Sequence, residues 1–185
     1  MFLYGMWWKS FKSYAFDSYG VVVTDKEAEH ARTRYFETYP ELLDWHKKQK
    51  QEVIQNRCIR TLTGRIRHLP DIDSPDTELR GSAERQAINT PVQSFASDMC
   101  LLAMILIDKN IEMKYKRKAK LVGQVHDAIM VEADEDVGRQ VALMVKKCME
   151  SVPVVLEKYF NVKLDLPIVA DVNMGSAWGK GEEVK

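Results

Sequence analysis

Lys120-Leu121-Val122-Gly123-Gln124-Val125-His126-Asp127-Ala128-Ile129-Met130-Val131-Glu132-Ala133 reads as two apolar strands joined at His126-Asp127. A polar two-residue link between two such runs is a hairpin signal. The hairpin projects Asp127 from a rigid tip. A carboxylate held in that way can bind Mg²⁺, a hard cation that takes oxygen ligands and keeps water or phosphate as the others. The same tetrapeptide, Gln124 to Asp127, also fits a tight turn filled by Asp and His for their turn chemistry alone.

Outward from the hairpin, helices and strands mix without βαβ alternation, which implies an α+β fold. On the C-terminal side, Asp134 to Glu150 reads as an acid-started helix. Pro153 interrupts it, a short helix reaches about Phe160, and Leu164 to Val172 reads as a last strand. On the N-terminal side, Lys114 to Lys120 is a basic loop. Before it, Met99 to Ile107 is apolar all round, the pattern of a buried helix. That helix is expected to start at Thr90 as N-cap, with Pro91 at the first helical position and Gln93 at the capping-box position. Leu79 to Ile88 is a separate helix, ended by a break at Asn89-Thr90-Pro91. Asp71 to Thr77 is a loop, and Cys58 to Leu69 reads as two strands around Thr63-Gly64. A helix from about Glu41 to Asn56 precedes them. Thr24-Asp25-Lys26-Glu27 fits a capping box that opens a helix ended by Pro40. Tyr4, Trp7, Trp8, Phe11 and Tyr14 fall at helical spacing; such a stripe is mostly core, with room for one ring to stack on a base.

Composition narrows the class. In 185 residues, 45% are apolar and 29% charged, with 27 Lys+Arg against 27 Asp+Glu. This is a globular composition of one domain's length, not a disordered tail or a disulfide miniprotein. Zero net charge means that any basic surface is local. Cys58, Cys100 and Cys148 show no paired or metal-ligand spacing and read as reduced cytosolic thiols. The run Met99–Ile107 is about half of a membrane span. No membrane segment or signal peptide is expected.

Two further segments carry side chains suited to nucleic acid. Arg85, Asn89 and Gln93 stand four apart and can donate to phosphates or base edges. Gln93 equally fits a helix cap, and Arg85 an ion-pair partner of Glu84. Arg57, Arg60, Arg65 and Arg67 cluster in the Cys58–Leu69 stretch; on one face they would contact a phosphate backbone, and otherwise they are the charged guard of an edge strand.

The order of these segments resembles family A DNA polymerases. Phe2-Leu3-Tyr4-Gly5-Met6 with Arg34 to Pro40 resembles the second half of the family's motif B region. Thr61-Leu62-Thr63-Gly64-Arg65-Ile66-Arg67 is similar to its TLxGRxR segment, and Glu84 to Gln93 to its ERxAxNxPxQ segment. Gln124-Val125-His126-Asp127 resembles motif C, and Asp171-Val172 to Trp178 the closing strand and tail. Phage-type members resemble it most. The resemblance implies an antiparallel palm sheet bearing the motif C hairpin and packed against helices, with residues 1–56 belonging to the fingers and 57–185 to the palm.

The resemblance also implies roles. Asp127 would be a metal ligand for two Mg²⁺ ions in transfer of a dNTP to a primer 3′-hydroxyl. His126 would sit near the primer-terminal phosphate with Gln124 nearby. Arg85, Asn89 and Gln93 would touch primer–template DNA in the minor groove, Arg65 and Arg67 its backbone, and Tyr4 the insertion site. Ala128, Ser94 and Trp7-Trp8 depart from the family's usual Glu, Gly and small residues. Motif A, with the other metal-binding aspartate, and the triphosphate-gripping residues of motif B have no counterpart here. The chain alone is therefore expected to be inactive and to act with a separate polypeptide carrying the N-terminal half, in the cytoplasm of a phage-infected bacterium. The alternative is a non-catalytic DNA-binding fragment.

Overall fold

Thr24 accepts a hydrogen bond from the Glu27 backbone while the Glu27 carboxylate reaches back to the Thr24 N–H at 2.8 Å, the reciprocal pairing that opens a helix. This helix, α2, runs Asp25–Thr38 in the computed structural model, which describes residues 2–184. It follows α1 (Trp8–Tyr19) and precedes α3 (Pro40–Asn56), which begins on proline, whose fixed φ suits a first helical turn. Short strands β1 (Cys58–Arg60) and β2 (Ile66–His68) pair antiparallel around Gly64, whose φ of +89° explains why glycine stands in the turn.

The long helix α4 spans Thr77–Lys114. The hairpin strands β3 (Ala119–Val125) and β4 (Ala128–Ala133) follow, then α5 (Gly138–Glu150), α6 (Val152–Phe160) and a small ladder of β5 (Asn173–Met174) with β6 (Glu182–Glu183). The fold is α+β, as expected, with three two-stranded antiparallel ladders among the described residues.

Two compact units divide the chain, Met1–Gln93 and Ser94–Lys185, with the boundary inside α4. In the first unit Val53, Ile59, Leu69, Ile72, Ala83 and Ala87 form a buried cluster. In the second, Ile107 and Ile111 of α4 pack with Val141, Val145 and Cys148 of α5, under the inner side chains of the hairpin. Ala103 meets Val152 and Leu156 of α6 in a neighbouring cluster.

The expected break at Asn89-Thr90-Pro91 is absent: α4 runs through it. Proline in a helix interior loses one hydrogen bond and crowds the carbonyl four residues back, at about 3 kcal/mol. Thr90 is not an N-cap; its hydroxyl donates to the Gln86 carbonyl at 2.6 Å. Ala87 and Ile88 are buried beside it, so packing holds the turn that propensity opposes. Gln93 caps nothing and is exposed.

Other boundaries also moved. Helix α5 begins at Gly138, not Asp134. The acids before it are used elsewhere: Asp136 pairs with Lys118, and the Asp134 N–H bonds the Lys118 carbonyl at 2.8 Å. Pro70–Asp73 forms a 3-10 turn in what read partly as loop. Leu164–Val172 is not a strand. It alternates, but among the described residues it has no ladder partner, and Pro167 removes a donor midway. Pairing starts only where the Val184 N–H reaches the Val172 carbonyl. Met99–Ile107 is not buried all round, since Leu101 and Ile105 face solvent. By length and hydropathy alone α4 would suffice to cross a membrane; here Ala103, Ile107 and Ile111 anchor it in apolar clusters.

Candidate functional site

The hairpin carries Asp127 at its tip, as its sequence implied. Leu121 faces Val131 and Gly123 faces Met130, so Val122 is an extra residue, a bulge. Bulges bend and twist a strand and re-aim what lies beyond them. A methyl on Gly123 would lie 3.0 Å from the Met130 Cε, the flexible end of that side chain, which would have to give by a few tenths of an ångström. Beyond the bulge Val125 pairs with Ala128, leaving His126 and Asp127 as the two-residue link.

His126 has φ +55°, a left-handed conformation that costs about 1–2 kcal/mol for an L-residue. The Gln124 amide donates to the His126 carbonyl at 2.8 Å and secures that turn. Such strain, held by its surroundings, is a mark of functional sites. Asp127 is exposed, and its charge reaches Cys100 on α4: burial first, and then Asp127, pushes the Cys100 thiol above its ordinary pKa.

Magnesium asks for several oxygen ligands. Asp127 has the right chemistry for one of them. Among the described residues, however, no three His, Cys, Asp or Glu side chains gather to hold a metal ion. Asp127 is thus a candidate for a single metal ligand, and the described residues assemble no complete metal site around it.

In the first unit, Arg85, Asn89 and Gln93 lie on one uninterrupted stretch of α4 and so share one side of it. Arg85 and Gln93 are exposed. The Asn89 Oδ1 is buried with no hydrogen-bond partner. Arg67 donates to the Gln86 side chain at 2.6 Å and, weakly, to the Thr90 hydroxyl at 3.4 Å. Register places Arg67 opposite Ile59 and Arg60 opposite Ile66, so Arg60 and Arg67 point to opposite faces and the four arginines do not form one patch. Arg57 pairs with Asp73, while Arg65 sits exposed beside the Gly64 turn.

Tyr4 closes a 3-10 turn, Phe2–Tyr4, and is half-buried. Neither Tyr4 nor Trp7 is on an α-helix, so the aromatic stripe read at helical spacing is broken before α1. The turn is held by His46 of α3, whose Nε2 lies 2.7 Å from the Leu3 carbonyl. Burial, with Lys50 and Arg32 nearby, holds the His46 pKa below its ordinary value against the opposing effect of that bond. Gly5 follows at φ +79°, packed so that a methyl there would lie 3.0 Å from Ile88 and 3.7 Å from Arg85.

These residues border a cleft of about 270 Å³. Trp7 stands at it, with the Arg32 guanidinium 4.5 Å from the Trp7 ring and 4.8 Å from Phe36. Arg32, His46, Lys47 and Lys50 escaped the sequence reading. Their signal was the helical spacing of His46 and Lys50 on α3; nothing local pointed to Arg32.

The sequence profile of DNA polymerase family A matches residues 2–180. The chain belongs to DNA polymerase family A. The DNA polymerase of Bacillus phage SP01 is 34% identical over 89% of this chain. DNA polymerase I of Bacillus caldotenax is 35% identical over 89%, and the thermostable DNA polymerase I of Thermus aquaticus is 32% identical over 85%. The chain spans 18% of the length of each. The polymerase domain of Pol1 from M. smegmatis, solved in complex with DNA primer-template and dNTP, matches 96% of this chain and 28% of its own, with a TM-score of 0.80 and 25% identity. Within family A, then, the chain corresponds to a portion of the polymerase region.

Proposed function

We propose that this chain is the C-terminal part of a template-directed DNA polymerase, adding dNTPs to a primer 3′-hydroxyl, with residues 1–56 completing the fingers and 57–185 the palm. The observation that carries the reading is the hairpin: a bulged, strained turn whose arrangement serves to present one carboxylate, Asp127, at its tip. Family membership and the likeness to a polymerase domain bound to primer-template and dNTP support it.

In this reading Asp127 supplies one oxygen ligand to Mg²⁺. Water, substrate phosphates and, in this reading, a further carboxylate from another part of the polymerase supply the remaining ligands. Two bound Mg²⁺ ions would supply Lewis-acid stabilisation of charge on the phosphoryl group. His126 lies beside the reacting end of the primer, and Gln124 fixes its turn. Arg85, Asn89 and Gln93 contact the minor groove, where acceptors common to all base pairs permit contact without sequence preference. The orphaned Asn89 Oδ1 is an acceptor suited to a donor such as the guanine amino group. Arg65 and Arg67 contact phosphates, and Tyr4 borders the incoming nucleotide.

Primer extension with Mg²⁺ and four dNTPs tests this, with the chain alone and with a polypeptide bearing the rest of the polymerase region. Extension only in the mixture, abolished by Asp127→Ala with DNA binding retained, is the expected result. Extension that survives Asp127→Ala removes the hairpin from the active site. A second reading, a DNA-binding fragment without catalysis, is favoured by the solitary carboxylate. It predicts no extension in either reaction with DNA binding intact.

A further inference from the structure

His46 is only 5% exposed, and the function proposed above gives it no task. A buried polar ring is costly unless it is hydrogen-bonded. The ring stands edge-on to Phe36, with centroids 5.5 Å apart, and lies 5.6 Å from the Trp45 ring. From there its Nε2 meets the Leu3 carbonyl at 2.7 Å, a contact across 43 residues of sequence. A carbonyl oxygen only accepts, so Nε2 carries the hydrogen and is the donor. Leu3 is the middle residue of the 3-10 turn Phe2–Tyr4. Other contacts hold the ends of that turn. The Phe2 ring lies 4.9 Å from Phe11 and 5.7 Å from Tyr35, the Gly5 N–H reaches the Phe2 carbonyl at 3.0 Å, and Gly5 rests against Ile88. The His46 bond acts in the middle. The Leu3 oxygen lies in one rigid plane with the Tyr4 N–H and Cα, so holding that oxygen sets the peptide from which Tyr4 projects.

We infer that His46 is a positioning residue for nucleotide insertion: its bond to the Leu3 carbonyl fixes the peptide that carries Tyr4. The inference rests on the reading of Tyr4 given above and deepens it. The same bond makes the placement of Tyr4 sensitive to protons. Arg32 of α2, Lys47 and Lys50 of α3, and Glu84 and Arg85 of α4 border the same cleft as His46. Glu84 is taken by Lys50 at 2.6 Å, and Lys47 pairs with Asp44 at 3.0 Å. A second proton would put a cation on a buried ring beside Lys50 and Arg32. Burial and like charge both disfavour that form, so the protonated ring moves toward water and releases Leu3.

The test is steady-state primer extension by the full chain with a polypeptide bearing the rest of the polymerase region, one dNTP being varied. Two replacements separate donor from shape. His46→Leu fills the space without a donor, and His46→Gln offers an amide donor that does not titrate. His46→Leu should raise KM for the dNTP by about 5- to 10-fold, the weight of one hydrogen bond, with primer-template affinity unchanged. His46→Gln should keep KM near the parent value at pH 7.5. Between pH 7.5 and 5.5 the parent KM should rise relative to that of His46→Gln. This ratio cancels the titration of the dNTP and of other groups, and it decides the matter even where His46→Leu does not fold. In a chain already carrying Tyr4→Ala, His46→Leu should add no further rise, since the two act through one position. A constant ratio across that pH range, an unchanged KM in folded His46→Leu, or effects of the two positions that simply add overturns the inference and leaves the polymerase reading standing. No extension by the parent mixture overturns both.

Discussion

Replacing Gly5 by alanine should destabilise the first unit more than the same change at Gly64. The two glycines share one demand and differ in another. Both have φ well inside the left-handed region, +79° and +89°, which costs an alanine about 1–2 kcal/mol. Both changes also stiffen the unfolded chain, a gain of about 0.4–1 kcal/mol that cancels in the comparison. A methyl on Gly64 meets nothing within 4 Å, whereas on Gly5 it would lie 3.0 Å from the Ile88 Cδ1. Ile88 is only 1% exposed, so it has little room to yield. Inserting a methyl into such packing costs about 1–3 kcal/mol. Gly64→Ala should therefore lose about 1 kcal/mol, and Gly5→Ala about 2–4 kcal/mol, by these terms. Urea unfolding followed by tryptophan fluorescence suits the measurement, because Trp7, Trp8 and Trp45 all lie in the first unit. If Gly5→Ala loses no more than Gly64→Ala, the turn bearing Tyr4 is not seated on α4 through Ile88.

Three other outcomes follow from the same contacts. Arg67→Ala should lower stability by about 1 kcal/mol through its bond to Gln86, discounted for exposure, visible as a reduced urea midpoint at unchanged slope; an unmoved midpoint would mean that Arg67 does not tie β2 to α4. His46 has a folded pKa below its unfolded value, so the unfolded chain takes up the proton first as pH falls below about 6.5, and stability present above that pH is lost beneath it. His46→Gln should flatten part of the fall in urea midpoint between pH 7.5 and 5.5, and an identical slope in the variant would exclude His46 as its source. Asp127→Asn removes a charge that disfavours the Cys100 thiolate, so iodoacetamide should label Cys100 faster near pH 8, read by peptide mass spectrometry; an unchanged rate would place Asp127 away from α4 at Cys100.

What was legible in the sequence was local. The capping box at Thr24 and Glu27, the turn at Gly64 and the link His126-Asp127 are decided by residues within four of one another, and each formed as read. The misread elements needed information from farther away. Thr90-Pro91 has every local mark of a helix start, yet Thr90 bonds Gln86 and α4 continues, because buried side chains on either side outweigh one lost hydrogen bond. Asp134 to Asp136 has the charge pattern of a helix start, yet Lys118, sixteen or more residues earlier, ties that stretch to the end of the hairpin.

The strand expected over Leu164–Val172 shows the same rule from the other side. Alternation states which face a segment would bury, but a strand exists only where another edge accepts its hydrogen bonds. Leu166 and Val169 remain outside, with Leu101 and Ile105 of α4 and Val122 of the hairpin also in solvent. All five lie in the second unit, which also carries the solitary carboxylate at Asp127. An active site that shares its metal ligands between two parts of a fold must also share the apolar surface that aligns them, since ligand geometry is only as exact as the packing behind it. On the function proposed above, the unpaired segment, the uncovered side chains and the lone candidate ligand would be three views of one requirement. A partner segment that restores Mg²⁺-dependent extension should also protect from hydrogen exchange the backbone amides of residues 164–172 other than Ala170, which already bonds Glu150. Restored activity without that protection would separate the catalytic requirement from the structural one and refute the link between them.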